Sequence, residues 1–475
     1  PYGLTPVLYS QMSNLTNAYK RSEMTDVGRL AVYTLESRVV DRPEPAESLR
    51  ASVVWSTGLD GTVTLSPDAV AEFEAGDMPE PVGLVTGRPG AYLLSGHLEI
   101  PPGETRSWYI VADVGRDQVG VTALQRYLRS TEDPVADIHA SVAAGTDALV
   151  RIMGRSDALQ RTGDRVATAH QFANVTYNVL RGGIPMRGYI IDTTDFAAFV
   201  MSRNRHVASR RQPWFEALPA EMSREALLEE IAATQDAQLM RLGLEYLPFG
   251  FSRRHGDPSR PWNHFSIRVR DESGRASLYY EGNWRDIFQN WEALCMSFPL
   301  YLPGVVSVFV NASTSDGFNP YRITRDGIDW EVPDPDDPWS NIGYWGDHQI
   351  VYLLRLLEET DRYLPGALER LLNEPWFSYS DVPYRIAPYD EMVRDPKATI
   401  RFDVDAATRS AARVDEVGGD GRLLWGRDRE VYLVTLMEKL LVPALAKLSN
   451  YVPGGGIWMN TQRPEWNDAN NALVG

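Results

Sequence analysis

The sequence predicts a mainly α protein, an (α/α) toroid preceded by a β-sandwich domain, and three observations lead there. Residues 29–115 read as short alternating apolar runs broken by Gly, Pro and Asp, the period-2 signature of strands and turns. From about residue 119 the apolar residues recur three and four apart, the signature of amphipathic helices. Long loops rich in Gly, Pro, Trp and Asn separate the later helices, as they would in a ring of helical hairpins with elaborate loops on one side.

The strand candidates are SVVWST, GTVTLS, AYLLSGHLEI and RSWYIVADVG. Residues 101–104, PPGE, supply the turn chemistry of a hairpin or of a connection between sheets. The expectation is a sandwich that has lost its first strands. Helices are expected over VTALQRYL, DIHASVAAGTDALVRIM, SREALLEEIAATQDAQLMRLGLEYL, RDIFQNWEALCMSF, HQIVYLLRLLEETDRYL, LPGALERLLN and REVYLVTLMEKLLVPALAKLSNY. The chain starts at Pro1 without a signal-like leader and stops within a motif-dense stretch, so a fragment is expected.

Composition narrows the function. The 475 residues are 43% apolar and 10% aromatic, enough to bury a large core in two or three units. With 64 acidic against 47 basic residues the net charge is -17, a poor match to a phosphate backbone, so nucleic acid is excluded as a partner. The basic cluster at residues 203–211 is short and interrupted and reads as a solvated face. No stretch of about 18 apolar residues appears, so a soluble chain with no membrane partner is expected; its compartment is left open, with the cytoplasm favoured over others. The single cysteine, Cys295, sits in the apolar run ALCMSFPLYL and is expected to be a buried, inert thiol. No metal is expected: DPDDP at 334–338 lacks EF-hand spacing, and the seven histidines form no HExxH pair. No cofactor is expected either, since GGG at 454–456 has neither the lysine nor the helix of a phosphate loop.

The loops carry the chemistry. Trp262, Trp284, Trp291, Trp330, Trp339, Trp345, Trp458 and Trp466 all lie in or beside them. A sugar stacks its C–H face on such rings and offers its hydroxyl edge to planar donors and acceptors. The loop RPEWNDANN, 463–471, sets Asn467, Asp468, Asn470 and Asn471 beside Trp466, where an apolar plug would leave their polar groups without partners. Glycosidic cleavage needs a carboxylic acid and, for inverting hydrolysis, a second carboxylate across the ring. The loop carboxylates beside tryptophans are Asp286, Glu331, Asp347, Glu465 and Asp468. Asp347, just before a helix, also suits an N-cap. Within RDIFQNWEAL, helical spacing puts Asp286, Gln289 and Asn290 on one face and Glu292 away from it, with Ile287 and Phe288 anchoring the helix in the core.

Three runs resemble the cellobiose and chitobiose phosphorylase group of inverting enzymes. LEIPPGETRSWYIVADVG looks like the group's sandwich strands, RDIFQN like its RDxxQD run, and PEWNDANNALVG like its DWNDxxN segment. The resemblance implies a β-sandwich (1–117, incomplete), a helical linker (118–165) and an (α/α)6 barrel (166–475, its C-terminal part missing). It also implies an oligosaccharide substrate, with inorganic phosphate as co-substrate if the cleavage is phosphorolytic. The group's general acid is the last aspartate of RDxxQD, where this chain has Asn290. An amide cannot deliver that proton, so either the acid has moved to Asp286 or Glu331, the reading favoured here, or the chain belongs to a related branch with different chemistry.

The expected function is therefore inverting cleavage of a glycosidic bond by hydrolysis or phosphorolysis, or else saccharide binding without catalysis on the same toroid. Asp286, Glu331, Glu465 and Asp468 are the catalytic candidates. Arg253, Arg254, His255, Trp262, Trp284, Arg285, Gln289, Asn290, Trp330, Trp345, Asp347, His348, Arg463, Trp466 and Asn467 are the substrate-binding candidates. A homodimer is compatible with the sequence.

Overall fold

The structure, a computed structural model, describes residues 17–27, 29–35, 50–250, 278–317, 322–330, 332, 349–395, 400–449, 451–454 and 456–457. The chain divides into two compact units, Pro1–Leu149 and Val150–Gly475.

The first unit is built on a five-stranded antiparallel sheet of β1 (Lys20–Met24), β2 (Leu30–Leu35), β3 (Ala51–Thr57), β5 (Leu84–Thr86) and β7 (Tyr109–Arg116), in the order β5-β1-β2-β3-β7. The alternation in β2 sorts its side chains to two faces. Leu30 and Val32 join Ala51, Val53 and Trp55 in one apolar layer. That layer is closed by Val121, Leu124 and Leu128 of helix α2 (Gln118–Ser130) and Ile138 of α3 (Pro134–Gly154). Ala31 faces the other way, onto Val63, Leu65 and Leu94, around a two-stranded sheet of β4 (Thr62–Thr64) and β6 (Leu93–Ser95). The short helix α1 (Ala69–Glu74) lies between β4 and β5 in sequence. Of the expected sandwich, then, one full sheet is present among the described residues. One of its faces carries a two-stranded layer and the other is covered by helices. The turn at 101–104, closed by Glu104 N–H to Pro101 O at 3.1 Å, connects strands of different sheets.

The second unit is mainly α. Its helices are α4 (Arg165–Gly182), α5 (Thr193–Arg203), α6 (Arg205–Arg210), α7 (Gln212–Ala217), α8 (Arg224–Ala233), α9 (Ala237–Glu245), α10 (Trp284–Cys295), α11 (Leu302–Asn311), α12 (Gln349–Tyr363), α13 (Ala367–Leu371), α14 (Tyr389–Arg394), α15 (Val404–Val417) and α16 (Leu436–Ser449). Helix α10 packs on α4 and α12, and α11 on α9 and α12. These are neighbouring helical layers, and no closed ring is formed among the described residues. Small antiparallel pairs stitch the helix ends: β8 (Ile184–Pro185) with β11 (Phe249–Gly250), and β9 (Ile190–Asp192) with β10 (Glu221–Ser223).

Two helices differ from expectation. The long segment from Ser223 breaks into α8 and α9 because Gln235 takes a left-handed φ of 53° and Asp236 caps α9, accepting from the Gln238 and Leu239 N–H groups at 3.1 Å each. The apolar period runs through the break and hides it. REVYLVTL begins as extended chain, with Val431 and Val434 bridged to Trp425 and Phe377, and becomes helical only at Leu436. Cys295 is buried as expected, and burial raises its thiol pKa well above the usual value. No helix among the described residues is long and apolar enough to cross a membrane.

Candidate functional site

Two of the runs singled out in the sequence meet on one small sheet. Strands β12 (Glu281–Asn283), β13 (Arg322–Thr324) and β14 (Gly327–Asp329) pair antiparallel in that order. Because both outer strands oppose β13, they run in the same direction and leave the sheet at the same end. The register sets Asn283, Arg322 and Asp329 in one row at that end. Neighbouring strands lie about 4.8 Å apart, so β12 and β14 are separated by roughly 10 Å. The chain leaving β12 becomes α10, whose first turn carries Trp284, Arg285 and Asp286; the residue leaving β14 is Trp330.

Charged groups organise the row. Both Arg322 and Arg422 hold the Asp329 carboxylate, Arg422 at 3.0 Å through Nη1, which also donates to the Ile328 carbonyl at 2.6 Å. Asp329 Oδ1 accepts from the backbone N–H of Trp330 at 3.0 Å. The Arg422 guanidinium lies 5.2 Å over the half-buried Trp330 indole, a cation-π arrangement. Arg322 Nη1 also lies 3.8 Å from Glu281, whose other oxygen accepts from the Tyr279 hydroxyl at 2.8 Å.

Below the sheet lies a buried ionic network. Arg203 ends α5, Glu245 ends α9, Asn311 ends α11, and Asp420 sits in the tight turn GGDGR at 418–422. Arg203 reaches Glu245 at 2.5 Å and Asp420 at 3.2 Å. Arg241 bonds Glu245 at 3.1 Å and also pairs with Asp420. Asn204 donates to Asp420 at 3.0 Å and Asn311 to Glu245 at 2.6 Å. The four charges cancel, which a dehydrated site requires. Burial alone would raise the Asp420 pKa, but Arg241 and Arg203 outweigh it and hold the carboxyl below its ordinary value. Burial likewise pulls Arg203 down, and Glu245 and Asp420 reverse that into a raised pKa. A cavity of about 20 Å³ between network and sheet is lined by Arg203, Glu245, Tyr280, Asn311 and Thr324, room for about one water.

The turn that supplies Asp420 is possible only with glycine. Gly418 has a φ of 101°, a Cβ on Gly419 would fall 1.8 Å from the Asp326 carbonyl oxygen, and one on Gly421 would fall 2.4 Å from the Val414 nitrogen. Neither this turn nor Arg203, Arg241 and Glu245 was among the expected site residues. Arg203 belongs to the basic cluster expected to be solvated, yet it is buried. Arg210 and Arg211 of the same cluster pair with Asp236. The repeated glycines around one aspartate were the available signal.

The remaining candidates divide as follows. Gln289 is exposed and Asn290 buried, at the edge of the α10 face that meets Gly182. Glu292, pointing elsewhere, pairs with Arg355 at 2.7 Å. Ile287 and Phe288 are core residues as expected. Trp291 is corrected: it is fully buried, with Nε1 donating to the Gly182 carbonyl at 2.8 Å, and forms no loop surface. Trp284, Arg285 and Asp286 have their place on α10 but no described side-chain surroundings. Arg253, Arg254, His255, Trp262, Glu331, Trp345, Asp347, His348, Arg463, Glu465, Trp466, Asn467 and Asp468 lie outside the described residues. Two larger open grooves, of about 740 Å³ in the first unit and 750 Å³ beside α4, are lined by none of the predicted site residues.

Residues 187–248 match the family model described as glycoside hydrolase family 149 insertion domain 1. This supports a glycoside hydrolase-type protein. The matched segment runs from β9 to the end of α9 and contributes Arg203, Asn204, Arg241 and Glu245 to the buried network, while Asp420 and Asn311 come from outside it. The network therefore fastens a segment similar to a glycoside hydrolase insertion domain to the elements beneath the sheet. No curated protein matches the chain. The finer likeness to the cellobiose and chitobiose phosphorylase group rests on the three runs LEIPPGETRSWYIVADVG, RDIFQN and PEWNDANNALVG.

Proposed function

We propose that the protein cleaves a glycosidic bond of an oligosaccharide with inversion, by hydrolysis or phosphorolysis, on an (α/α)6 barrel of which the second unit is part. The observation that carries this reading is the common exit of β12 and β14, which sets the start of the RDIFQN helix beside Trp330. The match of residues 187–248 to a glycoside hydrolase insertion domain supports the same class.

Asp286 is assigned the general acid. Its proton passes to the glycosidic oxygen as the bond from that oxygen to the anomeric carbon breaks, and the new bond forms from the opposite face. In hydrolysis the attacking oxygen is water's, and Glu465 or Asp468 takes its proton. In phosphorolysis a phosphate oxygen attacks and no protein base is needed. Glu331 is the second candidate for the acid. Arg253, Arg254, His255, Arg285, Gln289, His348, Arg463 and Asn467 would fix sugar hydroxyls, with the loop tryptophans as stacking surfaces.

The test is incubation of the full-length protein with α- and β-linked oligosaccharides, with and without phosphate, following the product anomer by NMR. Inverted product is expected. Turnover only with phosphate eliminates hydrolysis, and retained configuration overturns the mechanism. Asp286→Asn should nearly abolish turnover; an unchanged rate removes Asp286 from the acid role.

A further inference from the structure

We infer that Arg422 is a positioning residue that braces one face of the Trp330 indole, so that the opposite face forms a rigid platform for one pyranose ring of the substrate. The inference rests on the saccharide reading above and deepens it by naming one subsite and what holds it in place.

Trp330 is fixed at two points. Its backbone N–H is held by Asp329, and among the described residues the cation stacked on its ring is Arg422. Arg422 is itself immobilised, since its Nη1 is shared between the Ile328 carbonyl and Asp329. Two residues before it, Asp420 is locked into the fully buried network, and Gly421 between them lies against the backbone of α15 too closely to admit a side chain. The brace is thus tied to the core through a segment with almost no freedom. A tryptophan serving only as packing in this part of the molecule would be expected to be buried like Trp291. Trp330 instead stays half-buried at the end of the sheet where β12 also exits.

A planar guanidinium suits the role because it can lie flat on the indole while its N–H edge bonds acceptors in the plane. Holding the ring still before the sugar arrives removes an ordering cost from binding. Because the ring is fixed in ground state and transition state alike, its loss should appear mainly in KM rather than kcat.

The experiment labels the full-length protein with 5-fluorotryptophan and assigns the Trp330 fluorine signal by its disappearance in Trp330→Phe. Spectra of wild type, Arg422→Ala, Arg422→Lys and Arg422→Gln are recorded alone and with cellobiose, laminaribiose, maltose or diacetylchitobiose. Without sugar, Arg422→Ala should shift and broaden the Trp330 signal, and Arg422→Lys should restore it in part. With the sugar that moves the wild-type signal, Arg422→Ala should weaken binding and raise KM by roughly threefold to tenfold, leaving kcat within about twofold. Arg422→Gln, which keeps hydrogen-bond donors toward Asp329, supplies the comparison if the alanine variant does not fold. An unchanged Trp330 signal in the sugar-free folded variants overturns the brace, whatever the sugars do. A changed signal in the variants with no sugar perturbing Trp330 in wild type overturns the platform and counts against the saccharide reading, with the brace standing.

Discussion

Among the described residues both units carry surface ion pairs, and the second adds a buried network of four charges. In the first, the ion pairs lie at the surface: Arg21 with Glu23, Arg116 with Asp113 and Arg129 with Asp26 all keep two-fifths or more of each side chain exposed. In the second, Arg203, Arg241, Glu245 and Asp420 are almost completely dehydrated. Exposed pairs contribute little because water competes for each charge. Buried ones define a single arrangement, since a missing partner leaves a charge with no compensation. The surface charges of either unit can therefore drift without consequence, while the four buried charges of the second fix where the GGDGR turn, and with it the sheet end, must lie.

Removing one member of the buried set should give the largest effect. Asp420→Ala leaves two arginines facing one carboxylate and is expected to cost about 3–5 kcal/mol in urea unfolding; a loss no greater than that of a surface pair would break the contrast. The Asp420 contribution should also vanish in acid. The folded carboxyl is held below its unfolded value of about 3.9, so its stabilisation is complete above that pH and is lost as pH falls through the folded pKa.

Crowding the turn without touching a charge separates geometry from electrostatics. Gly421→Ala would press a methyl on the backbone of α15 and should cost about 1–3 kcal/mol. A neutral result would show that the turn can move and still seat Asp420.

Lys439 sharpens the contrast from the other side. It is fully buried, its Nζ donates to the Ser313 carbonyl at 3.3 Å and lies 3.4 Å from the centre of the Tyr379 ring. Burial lowers its pKa well below the ordinary lysine value, outweighing the nearby Glu438. Between that lowered value and about 10.4 the unfolded chain binds the extra proton, so stability rises with pH across the window. Lys439→Met should flatten that slope and stabilise the protein near neutral pH by about 1 kcal/mol. A lower melting temperature would mean that the amine is a required donor.

The smallest effect belongs to the first unit. Arg129→Ala, at an exposed pair, should change stability by less than about 1 kcal/mol.

Sequence patterning showed the elements better than the site. Alternation placed β3 and β7, and helical periodicity placed α2, α3, α10 and α12, because both are local consequences of one buried face. The break before α9 was missed, since Asp236 acts through two N–H groups that leave the apolar period intact. Trp330 and Asp286 were legible as types in context. That β12 and β14, which precede them, leave the sheet at one end was not, because it depends on β13 pairing with strands on both sides. The buried network was least legible of all. Arg241 and Glu245 stand one helical turn apart on a segment expected only to be helical, and Arg203 finds Asp420 only 217 residues later.

The β13–β14 hairpin turns through two residues, Arg325 and Asp326, and Arg325 is moored to Asp195 of α5 at 2.6 Å. Strand side chains alternate with a period of two, so gaining or losing a single residue in this turn would send Ile323 or Ile328 toward the wrong face and carry Trp330 with it. The aim of the indole is therefore a matter of parity: homologous chains could lengthen the loops around it freely, but this one connection would tolerate change only in steps that preserve the count.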